Sequence, residues 1–319
     1  MRLKLAALLT FALVGSAGAA TDYPSRPINF IVPFAPGGLT DIVARLVGDA
    51  MSEELKTPVV VQNKPGAGAT IGTAQVARAA PDGYTVLIVS GAGHATAPVL
   101  YDNLPYDVID SFDAVGMLGR SNFVLTVNKN QVPVKNLKEF LELVRKNPGK
   151  YTYSHSGKGS SQHVVGALFA KAAGVDVQDI PYRGSGLALT ALMSGEVGFG
   201  FDGTPAIKGM EQLVPLAQTG ETRDNPLWPD VPTMKEAGLP EFGTAYTWQG
   251  AFVPKGTPPE VIAKLHDAIK KALERPDVRQ KLLDKSVVPT PEFTPEATAQ
   301  FLKDEVKRYS ALADTLKRE

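Results

Sequence analysis

The chain alternates between short apolar runs and longer stretches in which apolar residues return every three or four positions. Asn29-Phe30-Ile31-Val32 is too short for a helix, rich in β-branched or aromatic residues, and followed by Pro33 and Pro36, so it reads as a buried strand. Directly after it, Ile42, Val43, Leu46, Val47, Ala50, Met51 and Leu55 fall on one helical face, with Arg45, Asp49 and Glu53 opposite. The unit recurs. Pro58 to Gln62 read as a strand, followed by Gly66, Gly68 and Gly72 and a helical stretch over Thr73 to Ala79; Val86 to Val89 empty into the loop Ser90-Gly91-Ala92-Gly93-His94. Strand, glycine loop and helix in succession predict an α/β fold with a parallel sheet, whose ligands sit at the carboxyl ends of the strands.

Phe123 to Val127 reads as a strand leaving the first domain, and from Val132 the pattern starts afresh. It predicts helices over Leu137 to Arg145, Val164 to Ala172 and Gly186 to Met193, with strands at Tyr151 to Ser154, Val197 to Phe201 and Leu213 to Gln218. Tyr246 to Val253 returns as an apolar strand. Helices alone follow: Thr257-Pro258-Pro259-Glu260 reads as a capping box opening the first, Asp277 to Asp284 form the second, and Thr294-Pro295 open the third. All three are expected to pack on the far side of the first domain.

The loops carry the candidate chemistry. In Ala35-Pro36-Gly37-Gly38-Leu39-Thr40 the glycine pair allows a tight turn and leaves the first N–H groups of the helix open to an anion at the positive end of its dipole. The plainer alternative is a strand-to-helix turn. His155-Ser156-Gly157-Lys158-Gly159-Ser160-Ser161-Gln162-His163 has the same design, glycines and hydroxyls at a helix start, with simple capping by Ser160 or Ser161 as its alternative. Arg183 can pair a carboxylate bidentately or merely a neighbouring acid. Asp202, an acid at the mouth of an anion site, repels its ligand unless it accepts a hydrogen bond from a ligand N–H or O–H or from a bridging water; otherwise it is a turn residue. Gly66, Gly68 and Gly72 do not make a dinucleotide loop: Lys64 and Pro65 lengthen it, the third glycine comes late, and the next strand ends in Ser90 rather than an acid.

Composition narrows the classes. The 319 residues are 44% hydrophobic and 21% charged, ordinary for a globular protein of two cores, and the formal net charge is zero, which leaves no basic face for duplex nucleic acid. Met1 to Ala20 carry Arg2 and Lys4, the apolar run Leu5 to Val14 and then small residues: a secretory signal peptide, cut after Ala19 or Ala20. That run is too short to span a bilayer, and no later segment approaches the ~18 apolar residues required. Cysteine is absent, which removes thiol chemistry and disulfides. No G-x-S-x-G elbow occurs, and His94, His155, His163 and His266 show no metal-site spacing. Ser156 beside His155 or His163 lacks a third group to orient the base. These absences argue against an enzyme.

The chain resembles the extracytoplasmic solute-binding proteins of the tripartite tricarboxylate transporter family, the Bug group. The likeness spans essentially all of the mature chain and rests on Tyr23-Pro24-Ser25-Arg26-Pro27-Ile28, Val32-Pro33-Phe34-Ala35-Pro36-Gly37-Gly38 with Asp41, Asn63-Lys64-Pro65-Gly66-Ala67-Gly68, Pro81-Asp82-Gly83-Tyr84-Thr85, Leu104-Pro105-Tyr106-Asp107, Pro181-Tyr182-Arg183-Gly184, Asp230-Val231-Pro232-Thr233 and Pro254-Lys255-Gly256-Thr257-Pro258. The resemblance implies a two-lobed α/β fold of the type II periplasmic-binding-protein, or Venus flytrap, kind with a parallel-dominated sheet in each lobe. Residues 21–123 plus 246–319 would form the first lobe and 124–245 the second, with hinges near 122–126 and 244–250. It implies capture of a small organic carboxylate, a di- or tricarboxylate or an aromatic acid, for delivery to membrane permease subunits from the periplasm, by a monomer without cofactor. A ligand-sensing module for a signalling receptor shares this fold and site. The carboxylate is expected at the Phe34 to Gly38 loop and the Ser156 to Ser161 loop with Asp202 nearby. The full candidate set is Phe34, Ala35, Gly37, Gly38, Asp41, Gly91, His94 and Trp248 from the first lobe and Ser156, Gly159, Ser160, Ser161, His163, Arg183 and Asp202 from the second. Phe34 and Trp248 are candidate apolar walls for an aromatic ligand, or core residues. Lys158, Ser160 and Gly203-Thr204 lie at positions that vary among such proteins and leave the body of the ligand open.

Overall fold

The strand β1 (Ile28–Val32) divides its side chains between two cores, Ile28, Phe30 and Val32 on one face of the sheet and Ile31 on the other. The computed structural model describes residues 23–243, 245–311 and 313; the expected signal peptide lies outside them. After β1 come α1 (Leu39–Leu55), β2 (Val59–Asn63), a 3-10 turn at Ala67–Ala69, α2 (Thr70–Ala77), β3 (Thr85–Ser90), α3 (Gly91–Ala95), α4 (Ala97–Leu100) and β4 (Phe112–Asn122). The second lobe holds β5 (Val124–Asn128), α5 (Leu137–Arg145), β6 (Thr152–His155), α6 (Ser161–Ala173), β7 (Gln178–Pro181), α7 (Ser185–Ser194), β8 (Phe199–Phe201) and β9 (Leu213–Gln218). The chain then returns as β10 (Tyr246–Pro254), α8 (Pro259–Glu274), α9 (Pro276–Leu283), β11 (Val288–Pro289) and α10 (Pro295–Ser310). No helix among the described residues is long and apolar enough to cross a membrane.

Two sheets result, β11-β4-β10-β3-β1-β2 and β7-β6-β8-β5-β9. They are mixed rather than parallel-dominated. The strands β2, β1 and β3 run parallel, as do β7, β6 and β8, but β10 lies between β3 and β4 and opposes both, and β5 lies between β8 and β9 and opposes both. These two strands link the lobes: β5 continues β4 into the second lobe and β10 brings the chain back, so the return must run against the strands already laid down.

Side-chain alternation builds the cores. Val86 and Ile88 of β3 join β1 under α1, while Leu87 and Val89 join Trp248 and Phe252 on the opposite face. The C-terminal helices divide accordingly: α8 and α9 pack with α1, whereas α10 covers the other face through Leu302 and Tyr309. The second lobe closes around an aromatic cluster, with Phe199 at 5.1 Å from Phe140 and 5.5 Å from Tyr153 by ring centroids. The Thr257 to Glu260 capping box does not form. The helix starts one residue late, with Pro258 at the N-cap, and Thr257 Oγ1 donates to Pro254 O at 2.8 Å instead. Thr294 does cap α10, accepting from Ala297 N at 3.2 Å.

At the crossing, Thr219 ties three passing segments together. Its N–H donates to Phe123 O at 2.9 Å, its Oγ1 accepts from Phe123 N at 3.0 Å, and its carbonyl accepts from Ala245 N at 3.0 Å. Thr244, within the expected second hinge, lies outside the described residues.

Candidate functional site

The loop after β1 is organised from below. Gly37 has φ +83°, a left-handed conformation that favours glycine, and its N–H donates to Asp41 Oδ2 at 2.9 Å. Asp41 also accepts from Arg45 Nε at 3.1 Å and, on Oδ1, from Asn63 Nδ2 at 2.9 Å, while the same Asn63 nitrogen reaches Phe34 O at 3.1 Å. Burial alone would raise the Asp41 carboxyl, but the bonds from Arg45, Gly37 and Asn63 outweigh it and hold it below the usual carboxylate range. With both oxygens so engaged, Asp41 shapes the loop. Gly38 is the N-cap of α1 in an extended conformation, and no side chain covers the first N–H groups of that helix. Ala35 is exposed and Phe34 half-buried, the Phe34 ring lying over Gly93 so that a Cβ there would stand 3.3 Å from Cζ.

The expected loop after β3 is a short helix, α3, entered directly from Ser90. Gly91 is needed because the Trp248 indole occupies the space a side chain would take, with a Cβ falling 1.7 Å from it. Trp248 is fully buried in the core and its Nε1 donates to Glu305 Oε2 at 3.3 Å. His94 is likewise core. It is 1% exposed, its ring lies 5.4 Å from both Phe112 and Phe252, and its Nε2 donates to Val108 O at 3.0 Å. Burial pushes its pKa down to about 4 and keeps it neutral.

Across the cleft, β6 ends in His155 and the following loop turns through Gly157 (φ +116°) and Gly159 (φ +77°) into α6. Ser160 caps α6, accepting from His163 N at 3.3 Å, so its hydroxyl serves the helix. Ser161 Oγ donates to Thr247 Oγ1 at 3.1 Å and Thr96 Oγ1 donates to Gly159 O at 3.4 Å; both bonds join the lobes. Ser156 is half-buried on the loop. His163 is fully buried, with Nδ1 accepting from Gly159 N at 3.3 Å; burial, then neighbouring His155, push its pKa down to about 4. Its imidazole supports the loop through that bond.

His155 does have the third group that the sequence does not reveal: its Nε2 donates to Asp179 Oδ2 at 2.8 Å. Its Nδ1, however, accepts from Gly157 N at 3.2 Å, so both ring nitrogens are occupied and neither is left to activate Ser156. His155, His163 and Asp179 offer ligand atoms within 4.8 Å of one another. The donor set does not fit a metal, because each Nδ1 accepts an amide N–H, which puts the ring proton on Nε2 and leaves no lone pair for a shared ion.

Asp202, 6% exposed at the end of β8, accepts from Thr204 N at 2.8 Å, and burial pushes its pKa up. It caps its own turn. Arg183 is exposed after β7 and pairs with no acid among the described residues. The structure thus gathers the Phe34 to Gly38 loop, the α3 start, the Ser156 to Ser161 loop and the Asp202 turn at the carboxyl ends of β1, β3, β6 and β8, as parallel strands direct. Sequence reasoning missed Asn63, Thr96, Thr247 and the supporting role of His155. Only Asn63, a polar residue closing an apolar strand, carried a local signal.

Known proteins share this architecture. Residues 43–317 match the tripartite tricarboxylate transporter family receptor. Protein BugT of Bordetella pertussis is 35% identical over 301 residues, covering 92% of this chain and 90% of that protein. Among solved structures, MatC from Rhodopseudomonas palustris with bound malate is 35% identical with a TM-score of 0.81, covering 92% of this chain and 100% of that one. A second R. palustris protein, with adipate, is 31% identical with a TM-score of 0.83, covering 92% and 98%.

Proposed function

The chain belongs to the tripartite tricarboxylate transporter family receptors, solute receptors and not enzymes, and from that premise we propose that it captures a small aliphatic dicarboxylate between its lobes. One observation carries the reading: α1 begins at Gly38 with no side-chain cap, on a loop that Asp41 and Asn63 hold open at the carboxyl end of β1. Uncovered N–H groups at the positive end of a helix dipole suit a carboxylate. The glycine loop before α6 faces the same cleft and supplies the second wall, and exposed Arg183 supplies a cation for the rim. Relatives holding malate and adipate support a diacid. Burial of Trp248 removes the larger aromatic wall and favours an aliphatic body over an aromatic one.

In this reading residues 21–123 plus 246–319 and residues 124–245 are the moving lobes, hinged where Thr219 ties Phe123 to Ala245. The receptor works in the periplasm after removal of the leader and delivers its ligand to permease subunits. Thermal shift of the mature protein against mono-, di- and tricarboxylates, with amines and sugars as controls, tests it. A ligand at 100 times its Kd adds about 2.7 kcal/mol of stability. Stabilisation by a dicarboxylate is the expected result; a response to sugars or amines alone would overturn the assignment.

A further inference from the structure

Two buried imidazoles lie directly beneath the second-lobe loop, and both use the same atom. His155 Nδ1 accepts the Gly157 N–H at 3.2 Å and His163 Nδ1 accepts the Gly159 N–H at 3.3 Å, with ring centroids 4.8 Å apart. Gly157 and Gly159 are the two positions where this loop turns left-handed, so each amide bond fixes a turn. The loop so fixed presents Gly159 O to Thr96 and Ser161 to Thr247, two hydroxyl contacts between the lobes. Asp179 anchors His155 through Nε2, which sets the tautomer that leaves Nδ1 as an acceptor.

We propose that His155 and His163 are positioning residues for the ligand loop, and that protonating either imidazole releases the loop and lowers ligand affinity. A protonated imidazole donates from both nitrogens, so the amide N–H of Gly157 or Gly159 would face an N–H instead of a lone pair. The ionisable groups facing the pair are Asp179 from β7, Lys158 from the loop itself, and Tyr153 from β6, whose ring lies 5.9 Å from His155 and whose hydroxyl donates to His163 O at 3.4 Å. The helix α7, which packs on β6, carries no ionisable side chain. Asp179 favours protonation of His163 and Lys158 opposes it, while burial, the largest influence, favours the neutral form. Binding that requires the closed loop therefore expels the proton from His163, and affinity falls by up to about tenfold per pH unit below the ordinary histidine range.

The proposal rests on the carboxylate reading for its binding arm and not for its amide arm. Asparagine places an oxygen where histidine places Nδ1, and that oxygen does not titrate. Amide exchange at Gly157 and Gly159 in ligand-free wild type, His155→Asn and His163→Asn is followed from pH 8 to pH 5. Protection is expected to drop with acidification in wild type and to stay level for the amide served by asparagine in each variant; His163→Phe, with no acceptor, should leave Gly159 unprotected throughout. Adipate titrations at the same pH values add the second arm, in which the ratio of wild-type to His163→Asn affinity cancels ionisation of adipate itself and should fall on acidification. Level protection in wild type, or an unchanging ratio, overturns the proposal. Absence of adipate binding by every form counts against the carboxylate reading alone, because the amide arm still decides the role of the histidines.

Discussion

Ser161 Oγ donates to Thr247 Oγ1 across 3.1 Å, joining the first turn of α6 to the start of β10 and so one lobe to the other. The Thr96 to Gly159 bond lies on the same loop, and Val164 of α6 packs into the first lobe's core cluster. Both bonds hold the α6 loop against the first lobe, so each should be felt in binding. A neutral hydrogen bond contributes about 0.5–1.5 kcal/mol, so Ser161→Ala or Thr247→Val should weaken ligand affinity by roughly 2- to 10-fold. Titration calorimetry of both single variants and the double should show non-additive losses, because they delete one bond.

Replacing Gly38 with valine should abolish binding and leave folding intact. Gly38 has φ −74°, and an added Cβ meets only Ala35 O at the ordinary distance of 3.6 Å, so the protein itself tolerates a side chain there. The branched side chain would instead cover the open N–H groups of α1. Calorimetry and a thermal melt on one preparation separate the two effects.

Asp41→Ala should act through the loop. It removes the acceptor of the Gly37 N–H and one of the two acceptors of the Asn63 amide, which keeps Phe34 O, at a cost of about 0.5–1.5 kcal/mol in stability per bond lost. Affinity should fall as well, since the loop loses its fixed shape. Because the native carboxyl is held below the usual range, the stability it confers is present above that range and is lost as pH falls through the lowered value. Urea melts between pH 7 and pH 3 should show that loss in wild type and not in the variant.

His94 and His163, both lowered to about 4 from an ordinary 6.5, make stability fall as pH drops from about 6.5 to about 4. In that window the unfolded chain takes up protons that the folded chain refuses, so stability rises with pH at up to about 1.4 kcal/mol per unit for each histidine. Denaturant midpoints should follow this slope, and His94→Gln should remove one histidine's share.

The sequence made the elements legible wherever alternation or helical spacing was strong: α1, α5 and β9 stand where the pattern places them. Strand direction was less visible, because the antiparallel setting of β5 and β10 follows from the path between lobes and not from any local signal. Within the site, the glycine loops were legible as loops, but burial decided between paired readings. Trp248 and His94 went to the core because Gly91 and the Tyr106, Phe112 and Phe252 rings surround them, contacts made by residues distant in sequence. His155 looked like an idle neighbour of Ser156 until β7 brought Asp179 to its side.

The central claim is that a carboxylate sits between the start of α1 and the start of α6. Its most direct test is an amide NMR titration of the mature protein with malate and with adipate. The account predicts the largest shifts at Gly38, Leu39 and Thr40 in the first lobe and at Gly157 to Ser161 in the second, saturating together. Saturable binding that leaves both loops unshifted would contradict it.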